Sequence, residues 1–136
     1  MPHLIVEYSD NLEPRMEVHT LLRRLHDAAE ATGIFQPATI RTRARPCAHY
    51  VVGTGTGDDA FVHLEARIRP GRPETVQWSL AESLMAVLKD TFATELEGNG
   101  VRVGLTVEVT LIPPVRVLYS TLDPDGCIMS IGRPTE

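Results

Sequence analysis

The hydrophobic periodicity of this chain runs through one fixed order and then repeats it. Residues 2–8 are apolar and β-branched enough for a buried strand. Between Arg15 and Thr32, Val18, Leu21, Leu22, Leu25, Ala28 and Ala29 recur at helical spacing, and Gly33 is placed to end that helix. Residues 38–44 alternate, with Ile40, Thr42 and Ala44 facing one way and Thr39, Arg41 and Arg43 the other. A short second run, Ala48 to Val52, stops at the turn-rich Gly53-Thr54-Gly55-Thr56-Gly57. The order then restarts. Ala60 to Ile68 reads as a strand, and Pro70-Gly71-Arg72-Pro73 as a turn. Val76, Leu80, Leu84, Val87, Leu88 and Phe92 mark a second helix to about Leu96, and Gly98-Asn99-Gly100 breaks it. Val101 to Leu111 alternates as a half-buried strand.

Two β-α-β units in tandem are the simplest account, because a helical crossover joins parallel strands with one hand. This predicts an α+β (α/β) fold: a four-stranded mixed sheet with both helices on one face. The other face then needs cover, which predicts an oligomer. The 136 residues make one domain, with a first unit and hairpin over 2–59, a second unit over 60–112 and a C-terminal arm over 113–136. The arm is turn-rich (Asp123-Pro124-Asp125-Gly126), with a short apolar stretch from Arg116 to Tyr119.

Composition excludes several classes. A net charge of −5 argues against nucleic acid as a partner. No run is long enough to cross a bilayer, and no basic segment precedes an apolar one as in a secretory leader. Cys47 and Cys127 lack metal-ligand spacing, so two free thiols in the cytoplasm are expected. No metal site is expected. Gly53 to Gly57 precedes a strand, not a helix N-terminus, and so is not a phosphate loop.

Pro2 follows Met1 and opens the first strand. Initiator methionine is usually trimmed before proline, which would leave Pro2 with a secondary amine. A free α-amino group titrates at about 7.7–8.0, and neighbouring cations lower that toward neutrality. Such a group can accept a proton and return it at physiological pH. Arginines cluster in two places, Arg41-Arg43-Arg45 and Arg67-Arg69-Arg72.

Pro2 opening a strand, in a tandem β-α-β chain of this length, resembles the tautomerase superfamily. Within it, Pro2-His3, Ile5 to Asn11, Ala31 to Phe35, Ile40 to Ala44, Ala60 to Leu64 and Gly71-Arg72 resemble the 5-carboxymethyl-2-hydroxymuconate Δ-isomerase family, at matching spacings over roughly residues 2–112. The resemblance implies a tautomerase-like homotrimer that needs no metal or organic cofactor. It implies ketonisation of a carboxylated dienol in homoprotocatechuate catabolism. Pro2 would carry the proton, with Arg41 and Arg72 as its catalytic partners. Arginine suits such work because its fork binds carboxylates bidentately and stabilises a developing dienolate. Arg43, on the same strand face as Arg41, is a third candidate carboxylate contact or an ion-pair partner at an interface. His3 and His63 read as structural histidines. Two departures stand out: 46–52 lacks the tryptophan-rich character of the family, and the arm from Val115 diverges and is longer. They keep open a tautomerase-fold hydratase or decarboxylase acting on another 2-oxo or enol acid, and a non-catalytic trimer that binds a small acid or a protein.

Overall fold

The structure, a computed structural model, describes residues 2–55, 58–95, 101–114, 116–118, 120–122 and 128–130. The chain runs β1 (His3–Ser9), α1 (Val18–Ala31), β2 (Arg41–Cys47), β3 (Ala60–Ile68), α2 (Glu74–Glu95), β4 (Val103–Leu111), β5 (Ser120–Leu122) and β6 (Ile128–Ser130). Strands β2-β1-β3-β4 form one mixed sheet. β1 pairs parallel with β2, β3 parallel with β4, and the two halves join antiparallel through β1 and β3. Each half is therefore one β-α-β unit.

Both helices follow from their sequence. In α1, Leu21, Leu25 and Ala29 fall four residues apart and are buried, while the Glu17 carboxylate accepts from the His19 N–H at its start. The helix closes where Thr32 Oγ1 donates to the Ala29 carbonyl at 2.6 Å and Gly33 takes φ +74°, the left-handed geometry glycine adopts without strain. In α2, Leu80, Leu84 and Leu88 are fully buried and Phe92 nearly so. They meet Leu4, Val6, Val62, Leu64 and Ala66 in a core between the helices and one sheet face. Each buried leucine contributes roughly 1.5–3 kcal/mol.

Each half also opens with one bond across its strand pair. The Arg41 N–H donates to the Pro2 carbonyl at 3.0 Å in the first half. The Ala60 N–H donates to the Arg102 carbonyl at 2.8 Å in the second.

The structure refines one expectation and corrects another. The sheet face away from the helices is mainly polar. By register it carries His3, Ile5 and Glu7, Arg41, Arg43 and Arg45, Phe61, His63, Glu65 and Arg67, and Thr106, Glu108 and Thr110. Alternation sends most apolar residues to the helices and leaves Ile5 and Phe61 among the polar ones. An apolar edge is also left open: Val103, Leu105, Val107 and Val109 are only partly buried, and Leu111 is 48% exposed. The hairpin expected within 2–59 is absent among the described residues. Residues 48–52 contain no strand, and Val51 is 81% exposed. Pro46 removes an N–H from β2 just before this run, and glycines at positive φ follow it at 53 and 55. Among the described residues, β5 pairs antiparallel with β6 in the C-terminal arm; the turn expected at 123–126 lies outside the described residues.

Candidate active site

Pro2, Arg41 and Arg72 lie at the same end of the sheet. Pro2 precedes β1, and Arg41 is the first residue of β2, whose N–H holds the Pro2 carbonyl. β3 runs the opposite way, with Arg67 against His3, so the turn that follows β3 and carries Arg72 lies at the same end of the sheet as Pro2. Parallel pairing in one half and antiparallel pairing between halves thus gather three residues spread over 71 positions (2 to 72). Pro2 itself is buried.

Arg72 is more constrained than a residue in a turn need be. Its Nη2 donates to the Ile34 carbonyl at 2.7 Å, and its Nη1 more weakly to the Arg69 carbonyl at 3.4 Å. The guanidinium lies 5.1 Å from the centroid of the Phe35 ring, and Phe35 is part of the core. Gln77 Nε2 donates to the Arg72 carbonyl at 2.9 Å, which ties the turn to α2. Gly71 permits the bend at φ +116°. Sequence reasoning missed these supports. Their one local signal was that Ile34-Phe35 directly follows the glycine ending α1.

Arg41 donates through Nη1 to the Thr39 carbonyl at 2.7 Å, anchored by the short 3₁₀ turn Pro37–Thr39 that precedes β2. Arg43 points along the same polar face and meets His3, Nη1 to Nδ1 at 3.1 Å. A guanidinium only donates, so His3 Nδ1 is the acceptor and the ring is neutral with its proton on Nε2. Burial, then the guanidiniums of Arg43, Arg41 and Arg67, hold this imidazole below its ordinary 6.5. His3 is a structural histidine in that it has a partner, yet that partner is one of the candidate site arginines. His63 pairs with Glu108 at 2.7 Å, away from this end of the sheet. Among the described residues no three His, Cys, Asp or Glu side chains group as metal ligands, and no helix is long and apolar enough to cross a membrane.

A four-stranded mixed sheet of two β-α-β halves, with a proline opening its first strand and arginines at the same end, defines the tautomerase class. Comparison with known proteins gives the narrower group. The family described as 5-carboxymethyl-2-hydroxymuconate isomerase matches residues 2–117, and the chain belongs to it. It is 32% identical to the 5-carboxymethyl-2-hydroxymuconate Delta-isomerase of Escherichia coli over 108 residues, covering 79% of this chain and 86% of that protein. Among solved structures it resembles a 5-carboxymethyl-2-hydroxymuconate isomerase from Deinococcus radiodurans R1, with 35% identity and a TM-score of 0.75 over 82% of this chain and 83% of that one. A further 5-carboxymethyl-2-hydroxymuconate delta-isomerase gives 30% identity and a TM-score of 0.74 at the same coverage.

Proposed function

We propose that this protein is an isomerase that ketonises 5-carboxymethyl-2-hydroxymuconate or a close relative, with the Pro2 amine as the proton carrier. The observation that carries this reading is the convergence of Pro2, Arg41 and Arg72 at one end of the sheet, in a member of this family. The substrate is a 2-hydroxydiene, HO–C2=C3–C4=C5. Free Pro2 takes the hydroxyl proton, electrons move through the diene, and the same proton returns to C5, giving O=C2–C3=C4–C5–H. One base on one face suffices if the diene is held flat. Guanidiniums near the amine disfavour its ammonium form, so the charges that hold the carboxylates also keep the base unprotonated. One arginine stabilises the dienolate oxygen and its neighbouring carboxylate, and the other fixes the distal carboxylate.

The proposal includes removal of Met1, since an acylated proline nitrogen has no basic lone pair. It also includes a homotrimer. Val107, Val109 and Trp78, 67% exposed, border a cleft of about 370 Å³, an edge suited to another copy of the chain. The test combines intact mass on untagged protein with a ketonisation assay of wild type and Pro2→Ala. Loss of the Met1 mass, with activity reduced about 10²-fold or more in Pro2→Ala, supports the amine base. Retained Met1, or equal activity in both proteins, refutes it. A stable monomer in sedimentation would refute the trimer.

A further inference from the structure

The polar sheet face beside Pro2 carries more positive charge than its own carboxylates neutralise. His3 is flanked by Arg41 on β2 and by Arg67 on β3, and the Arg43 guanidinium sits on its ring. The carboxylates of this face are Glu7, opposite Arg45 and His63, Glu65, which accepts from Thr110 Oγ1 at 2.8 Å, and Glu108, which binds His63, three against the four guanidiniums of Arg41, Arg43, Arg45 and Arg67. Neither Arg43 nor Arg67 forms an ion pair with any described residue, although both are half-buried. Half-buried guanidiniums held close together repel unless an anion joins them. The neutral His3 ring adds a further donor, Nε2–H, to the same cluster.

Resting on the function proposed above, the chemistry of the substrate supplies that anion. A muconate bearing a carboxymethyl group has three carboxylates, and Arg41 and Arg72 account for two. We propose that Arg67, with the His3–Arg43 pair, forms a third carboxylate subsite that makes the site prefer a tricarboxylate dienol over a dicarboxylate one. Arg67 extends the cationic surface from β2 across β1 to β3. A substrate lying over the opening of β1 then meets a guanidinium on either side.

The test compares kcat/KM for 5-carboxymethyl-2-hydroxymuconate and for 2-hydroxymuconate in wild type, Arg67→Gln and Arg102→Gln. Arg102 is a control for net charge, with a side chain 88% exposed. The triacid-to-diacid preference is expected to fall about 10- to 100-fold in Arg67→Gln, mainly through KM, the range for one charge-assisted hydrogen bond. Arg102→Gln is expected to keep the wild-type preference. A ratio unchanged in Arg67→Gln, whether both rates fall or neither does, overturns the subsite and leaves Arg67 as a structural or intersubunit group. Calorimetric binding of propane-1,2,3-tricarboxylate and of pentanedioate separates this inference from the catalytic reading, because neither acid can react. If wild type turns over no dienol yet prefers the tricarboxylate, and Arg67→Gln loses that preference, the subsite stands while the catalytic function fails. Equal binding of the two inert acids by wild type overturns the subsite.

Discussion

Replacing Arg72 tests whether the guanidinium works on substrate or merely fastens a turn. Arginine has five N–H donors in a rigid fork. One is committed to the Ile34 carbonyl at 2.7 Å and one leans weakly on the Arg69 carbonyl at 3.4 Å. The remainder can form a bidentate pair with a carboxylate while Phe35 keeps the plane oriented. Lysine at 72 could not keep the Ile34 bond and also bind bidentately, because its donors share one nitrogen. Losing one charge-assisted bond of about 1.5–3 kcal/mol corresponds to about 10- to 150-fold in kcat/KM. Arg72→Lys is therefore expected to fall in that range, and Arg72→Gln, which loses both bonds and the charge, to fall about 150-fold or more. The assay is spectrophotometric ketonisation of 5-carboxymethyl-2-hydroxymuconate, with thermal unfolding run alongside. A loss carried by KM assigns Arg72 to the distal carboxylate, and a loss carried by kcat assigns it to the dienolate. Arg72→Gln within about threefold of wild type, by the same standard of resolving one hydrogen bond, would refute the reasoning and reduce Arg72 to a tie between two loops.

Two further outcomes follow from the same region. Gly71→Ala meets no atom within 4 Å, so its cost is torsional, from φ +116°: about 1–3 kcal/mol of unfolding free energy in urea titration, with activity falling as Arg72 shifts; a neutral substitution would mean the turn adapts freely. His3 titrates below its ordinary 6.5 in the native state, so the unfolded chain gains its proton first as pH falls. The neutral ring contributes stability above pH 6.5 that is lost as pH falls through the lower native value. His3→Gln keeps an acceptor for Arg43 without a titrating group, and its Tm should fall less steeply than that of wild type below pH 6.5. Parallel Tm curves for the two proteins would rule out this contribution.

The legible parts of the fold were those written in local periodicity. β3 was bounded at Ala60 and Ile68 by alternation alone, and α2 by its four-residue spacing of leucines. β2 starts three residues later than alternation implies, because Ala38 in the preceding 3₁₀ turn and Ile40 just after it continue the same alternation. Ala48 to Val52 looked like a strand but has no neighbour to pair with, and pairing is not local information. The site divides in the same way. The strand face of Arg41 and Arg43 could be read from period two, whereas the hold of Ile34 on Arg72 spans 38 residues and depends on how two loops meet. The balance of charge on the outer face was also hidden, because it arises only when Arg41 and Arg67 are set on either side of His3 by pairing.

The bonds that open the two halves point to an asymmetry within a repeated design. In the second half the backbone nitrogen of Ala60 is occupied, donating to Arg102, and a proline there would break the ladder. In the first half the ladder begins one atom group later, at the Pro2 carbonyl, so the nitrogen has no duty to the sheet. A circular permutant opened in the loop before residue 60 would accordingly gain a chain end whose strand-opening nitrogen is tied into the sheet. The two halves share one plan, yet of their two opening nitrogens the register ties down that of Ala60 and leaves that of Pro2 outside the ladder.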